Sequence, residues 1–264
     1  MNDGEALRRR IDDLSPMGVR FVARMVESLS DPPQAQGSAP EPTWISAESD
    51  WIEYFGLLIS AHHGLAVDAL KETGFENAFR DACEAVGWGV DPPASATRRF
   101  VDVTVQTRDG RHRRLSLKST AAQRLSKSTT HISKLTEAAW IQDVRSPRSR
   151  RSRTLELFEE YSAAVDAILM LRAFRHDPQS IPYCYQLVEI PSAIFASLRL
   201  LPLSAFEADG PTLDCSFQGD SVAARVSLDR SDAKVTVKQI QLSACVVHEE
   251  WELGDRNPRQ TVSS

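Results

Sequence analysis

Asp102 in "VDVTVQ" and Lys118 in "RRLSLKS" are the residues whose type and placement could do chemistry. Each interrupts a strand-like alternation. Val101, Val103 and Val105 point one way and Asp102, Thr104 and Gln106 the other; Leu115 and Leu117 share one side, Ser116 and Lys118 the opposite side. If the two stretches pair through "RDG", with Gly110 able to take positive φ, the valines and leucines bury one face and Asp102, Ser116 and Lys118 meet on the other. A carboxylate beside an ammonium suits a phosphodiester. The carboxylate can hold a divalent cation that stabilises charge as water attacks phosphorus. The lysine can orient or deprotonate that water, or neutralise the transition state. Magnesium, with its demand for hard oxygen ligands and its retained waters, is the expected ion.

The charge around these residues points to the same kind of substrate. The net charge is -5, yet residues 98–153 hold 15 Lys or Arg against 4 Asp or Glu. That local excess of 11 leaves the remainder of the chain near -16. A basic middle in an acidic protein reads as a binding face for a polyanion. Ser119, Thr120, Arg124, Ser126, Lys127, Ser128, Thr129 and Thr130 follow Lys118 and offer hydroxyls and cations to phosphates; Lys134 lies just beyond. "RSPRSRRSR" adds Arg145, Arg148, Arg150, Arg151 and Arg153, which could grip backbone or pair with guanine. His62, His63, His112 and His131 match no standard metal spacing, and His131 is at most an accessory. Cys83, Cys184, Cys215 and Cys245 form no CxxC pair and read as reduced thiols of a cytoplasmic protein. No apolar run is long enough to span a membrane, and the polar start lacks a secretion signal.

The elements that must position these residues change period along the chain. Residues 14–30 and 44–71 have helical texture, separated by the breaker-rich "DPPQAQGSAPEPT". Phe75, Phe79, Ala82 and Val86 make a further helical stripe, stopped by Gly87, Gly89, Pro92 and Pro93. After the hairpin, "HISKLTEAAWIQDV" is expected to be a helix, "RSPRSRRSR" a loop and "TLELFEEYSAAVDAILMLRAF" a longer helix. "PYCYQLVEIP" follows as a strand, "SAIFASLR" as a short helix, and "SVAARVSLD", "AKVTVKQI" and "SACVVHEEWEL" as strands. The expected fold is α/β: a mixed central sheet flanked by helices, with extra N-terminal helices and C-terminal strands. One domain fills 1–264, with a helical extension and linker over 1–45, a core over 70–195 and a strand-rich part over 200–264.

Asp102 followed by "SLK" on the next strand resembles the PD-(D/E)xK nuclease superfamily, in particular its type II restriction endonucleases, over roughly residues 70–195. Val101 stands where that motif has proline, and Ser116 where it has an acid. The resemblance implies a restriction-endonuclease-like core and a magnesium-dependent, sequence-specific endonuclease of double-stranded DNA. A repair or nicking nuclease, or an inactive DNA-binding protein on the same fold, are the alternatives. It implies Asp102, Ser116 and Lys118 as catalytic, with Asp102 on the metal. Some members with SxK recruit a helix glutamate; Glu137 is the substitute this implies, and Glu76, from an early helix, is the other candidate. It also implies a homodimer on a palindromic site. The long helix expected over 155–174 would then serve either the core or the dimer interface.

Overall fold

The expected hairpin forms, and it belongs to the larger of two sheets in a computed structural model. The structure describes residues 2–37, 40–91, 99–121 and 124–253. Pro92 and Pro93 of the helix stop, Ala122 and Gln123 of the polar segment, and 254–264 of the strand-rich part lie outside the described residues. The N-terminal helices are α1 (Asp3–Asp12), α2 (Pro16–Leu29), α3 (Ser49–Leu65) and α4 (Glu72–Ala85). Ser15 caps α2, its side chain accepting from the Gly18 amide, with Pro16 at the first turn.

The seven-stranded sheet contains β1 (Gln34–Ala35), β2 (Gly89–Val90), β3 (Val103–Gln106), β4 (His112–Thr120), β6 (Ala167–Phe174), β7 (Cys184–Pro191) and β11 (Val246–Glu252), in the order β1-β11-β7-β6-β4-β3-β2. Only β4 and β6 run parallel. The smaller sheet has the order β5 (Thr129–Glu137), β10 (Lys234–Gln241), β9 (Asp220–Asp229), β8 (Thr212–Phe217). One face of the larger sheet, with Leu115, Leu117, Leu169 and Leu171, packs on Trp51, Phe55, Phe75 and Phe79 of α3 and α4. The other face, with Ile168, Met170, Val188 and Ile190, packs on α6 (Pro147–Ala164) and on Val226, Val235 and Val237 of the smaller sheet. A mixed central sheet flanked by helices is therefore the architecture, as expected.

Three assignments over 131–174 are corrected. Residues 129–137 form the strand β5 and not a helix; only α5 (Trp140–Asp143) is helical there. Ala139 is exposed beyond the strand, and the three-residue spacing of the buried Ile132 and Leu135 goes with irregular pairing. Thr136 faces Val235 and Ile132 faces Val237, so β5 advances four residues where β10 advances two. "RSPRSRRSR" is not a loop: from Pro147 on it is the first half of α6, capped by Ser146, whose side chain accepts from the Ser149 amide. The helix expected to Phe174 ends at Ala164, and "AILMLRAF" is β6, with every residue buried. A strand covered on both faces reads as one apolar run without period, which periodicity cannot tell from a buried helix. A dimer interface on a 155–174 helix goes with it. β8 is an addition that the sequence reading lacked.

Candidate active site

β4 delivers the site. Ser116, Lys118 and Thr120 alternate with Leu115 and Leu117, and their neighbours on β6 are Ile168, Met170 and Arg172. Asp102 lies one residue before β3, held there by its own amide donating to the Leu115 carbonyl at 2.9 Å. Phe100, at the bend leading in, has φ +77°, a left-handed backbone uncommon for a bulky residue. The bend turns Val101 toward the α6 side of the sheet, away from Val103 and Val105.

Asp102, Ser116 and Lys118 come together. Asp102 Oδ2 accepts from the Leu117 amide at 2.6 Å and from Ser116 Oγ at 3.2 Å. Lys118 Nζ lies 3.5 Å from the same oxygen, 2.9 Å from the Leu117 carbonyl oxygen and 2.8 Å from Glu72 Oε1. Glu72 is absent from the sequence reading. It opens α4 one turn before Glu76, ahead of the Phe75–Phe79 stripe, on the helix face away from the core. An i, i+4 pair of acids followed by Arg80 was the available signal.

Glu76 is placed differently. Its carboxylate meets Arg80 Nε at 3.3 Å, and Arg80 donates to the main-chain oxygens of Asp102 at 2.6 Å and Asp91 at 2.8 Å. Glu76 thus steadies the arginine that braces the Asp102 backbone. Glu137 sits at the end of β5, exposed, where Lys134 Nζ at 2.5 Å holds its carboxyl below the usual range.

Three hard oxygens of Asp102, Glu72 and Leu117 converge on one ammonium. This donor set fits a small divalent cation that keeps most of its waters. Among the described residues no group of three or more His, Cys, Asp or Glu forms a cluster able to hold a metal alone.

The lysine opens into a recess of about 180 Å3 between the sheets, lined by Glu72, Ser119, Thr120, His131, Ser133 and Lys134 among others. Arg172, fully buried behind it, donates to the main-chain oxygens of Ser126 and Thr129 and to Gln186. It ties the turn bearing Lys127 to the larger sheet; Arg124 and Lys127 are exposed and Thr129 half-buried. On α6, Arg148 and Arg153 are exposed, Arg151 is half-buried, and Arg145 lies exposed just before the helix. Arg150 is buried, donating to the Phe206 carbonyl at 2.5 Å and to Asp209 at 3.2 Å. Its place in a DNA-contacting loop is corrected: its guanidinium is used inside the fold.

Two of the other histidines are engaged within the fold. His62 reaches the Asp68 carbonyl, and His63 reaches the Ala66 carbonyl and Tyr185 Oη. All four cysteines are free thiols. No helix among the described residues is long and apolar enough to cross a membrane.

Comparison with known proteins places the chain in a family. The SmaI family, described as type II site-specific deoxyribonuclease, matches residues 38–253. The type II restriction enzyme SmaI of Serratia marcescens is 27% identical over 215 residues, covering 77% of this chain and 79% of the relative. No solved structure matches the chain. The matched span takes in the hairpin, α4, β5 and the recess between the sheets, and on that match the chain belongs to the SmaI family of type II site-specific deoxyribonucleases, a nuclease acting on DNA.

Proposed function

We propose that the chain is a magnesium-dependent endonuclease that cuts double-stranded DNA at a short recognition site, with the PD-(D/E)xK-type site reduced to Asp102, Ser116 and Lys118. One observation carries this reading: Lys118 Nζ sits 3.5 Å from Asp102 Oδ2 and 2.8 Å from Glu72 Oε1, at the mouth of a polar recess. Asp102, with Glu72 and the Leu117 carbonyl oxygen, would hold the ion; Glu72 takes the place first considered for Glu76 and Glu137. A bound magnesium ion would supply positive charge at the attacked phosphate and acidify a coordinated water. Lys118 would orient an attacking water and offset charge on the phosphate oxygens. Asp102, tied by Ser116 and the Leu117 amide, keeps a fixed direction with no reorganisation at the moment of reaction.

The surrounding cations grip the duplex. Ser119, Thr120, Lys134, Arg124, Lys127 and Thr129 flank the recess or follow it in the chain and suit phosphates near the cut. Arg148, Arg151 and Arg153 lie in the first turns of α6 and suit phosphates further from the cut. Two chains related by a two-fold axis would match a palindromic site.

Digestion of a plasmid of known sequence in magnesium, followed by sequencing of the ends, tests the reading. Discrete fragments with one common end sequence are expected. Nicked circles alone would move the chain to a nicking nuclease. Tight binding without cutting in magnesium or manganese would overturn the proposed site.

A further inference from the structure

The oxygens assigned to the ion are the same oxygens that now face the Lys118 ammonium. Lys118 Nζ donates to Glu72 Oε1 at 2.8 Å and to the Leu117 carbonyl oxygen at 2.9 Å, and it lies 3.5 Å from Asp102 Oδ2. The bond to the carbonyl of the residue just before it folds the lysine side chain back over β4. An ammonium has donors only and no lone pair to offer a cation, so it cannot share these oxygens as a ligand would.

Charge makes the competition sharper. Asp102 and Glu72 bring two negative charges and Lys118 one positive, which leaves the cluster at −1. A divalent ion on the two carboxylates brings them to zero. With the ammonium still among them the cluster would be +1, with two cations on one set of oxygens, where Coulomb repulsion is steepest. Lys118 must therefore give up the carboxylates when they take an ion.

The recess limits where the ammonium can go. The Lys118 side chain is 14% exposed, and a largely buried charge that loses its partners needs others. Glu72 is the only carboxylate among the residues lining the recess; Ser119, Thr120 and Ser133 offer neutral hydroxyls, and Lys134 is a second cation. Glu137, at the end of β5, is already bonded to Lys134 at 2.5 Å. The missing anion is one that DNA brings, because a phosphate oxygen accepts strongly from an ammonium.

We propose that Lys118 couples metal binding to DNA binding. Without DNA its ammonium sits on the oxygens of Asp102, Glu72 and Leu117 and holds their affinity for a divalent ion down. A phosphate at the recess draws the ammonium off and frees them. The protein then gains its ion together with its substrate. The inference rests on the reading of Asp102 and Glu72 as the carboxylates that hold the ion.

Calorimetric titration with calcium, which keeps the DNA intact, tests this on the full chain with and without a duplex carrying the end sequence from the plasmid digest. In the wild type the duplex should raise calcium affinity about tenfold or more, and calcium should raise duplex affinity by the same factor. Lys118→Met removes the charge and keeps an unbranched chain. Without DNA it should bind calcium several-fold more tightly than the wild type, and the effect of the duplex should shrink by a similar factor. Unchanged or weaker calcium affinity in this variant overturns the proposal. Lys134→Met removes a charge from the same recess that does not touch the three oxygens; an equal gain there means diffuse repulsion and also overturns it. Nitrogen-15 spectra of the wild type give a direct view. The Lys118 ammonium signal should shift when calcium saturates the protein and shift again on adding the duplex; a signal indifferent to calcium overturns the proposal even if Lys118→Met does not fold. Asp102→Ala separates the levels. Wild-type calcium binding there means that the ligands are misassigned, whereas lost binding beside an unimproved Lys118→Met removes only the coupling.

Discussion

The larger sheet carries two clusters of charged side chains, and they differ in what they leave over. Around β4, the side chains of Lys118, Asp102 and Glu72 are 14%, 33% and 61% exposed and open on a recess. Between β7 and β11, Glu189 Oε2 accepts from Trp44 Nε1 at 2.7 Å and meets His248 Nε2 at 3.1 Å, while His248 Nδ1 lies 2.7 Å from Thr43 Oγ1. The His248 side chain is fully buried and both of its ring nitrogens are used. Arg113 covers the outside, stacked on Trp44 at 4.4 Å. An acid–base pair is present in both places. The second spends its hydrogen-bonding capacity on the fold, pinning the segment before α3 to the sheet. The first leaves its oxygens and its ammonium at the mouth of an open recess. Openness, and not the mere presence of charge in a sheet, separates a site from a latch.

Substitutions should split the clusters along that line. Asp102→Ala and Lys118→Ala should give the largest effect, a loss of cleavage of about 10²–10⁴-fold or more in single-turnover assays, with Tm close to wild type. Normal cutting by either would erase the distinction.

Glu189→Ala should do the reverse. It strands the Trp44 N–H and His248 in a buried place and should cost about 2–4 kcal/mol in urea unfolding, with activity per folded molecule retained. The same cluster should show in acid. Burial pushes the Glu189 carboxyl up, but its bonds to His248 and Trp44 and the charge of Arg113 outweigh this and hold it below its ordinary value of 4.5. A carboxyl depressed in the folded state stabilises above the unfolded pKa, and that contribution is lost as pH falls through the folded value. The stability difference between wild type and Glu189→Ala should therefore be full at neutral pH and shrink below the usual carboxylate range. A difference independent of pH would mean that Glu189 acts by packing alone.

Glu72→Gln compared with Glu76→Gln gives a finer cut within the open cluster. The first should raise the magnesium requirement several-fold. The second should act less, through the looser Arg80 brace on the Asp102 backbone. Equal effects would show that α4 contributes only its backbone position. The smallest effect is expected from replacing Arg148, Arg151 and Arg153 by Gln. Affinity for DNA of any sequence should fall, and each lost phosphate contact should reduce the slope of log affinity on log salt by about 0.9. An unchanged slope would return α6 to a purely structural part.

Much of the open cluster was readable because strands have a period of two. Once Val103 and Val105 face Leu115 and Leu117, the other face must hold Asp102, Ser116 and Lys118, whatever surrounds them. Glu72 was hidden because it precedes the apolar stripe of α4 and reaches Lys118 only across 46 residues of chain. Two of the misreadings over 131–174 concern strands: a bulged strand departs from a period of two, and a fully buried strand has no spacing at all.

The amino-acid order by itself determined the local matters: the alternation of β3 and β4, the capped start of α2, the concentration of positive charge in 98–153, and the pairing of a carboxylate with an amine on one polar face. Those depend on side chains a few residues apart, where backbone geometry dictates direction. The tertiary structure alone decided which acid reaches Lys118, that Arg150 is spent on the interior while Arg148 and Arg153 stay exposed, and that β6 is a strand between β4 and β7. These depend on residues distant in the chain meeting across packed surfaces, and only the burial of whole faces decides such meetings.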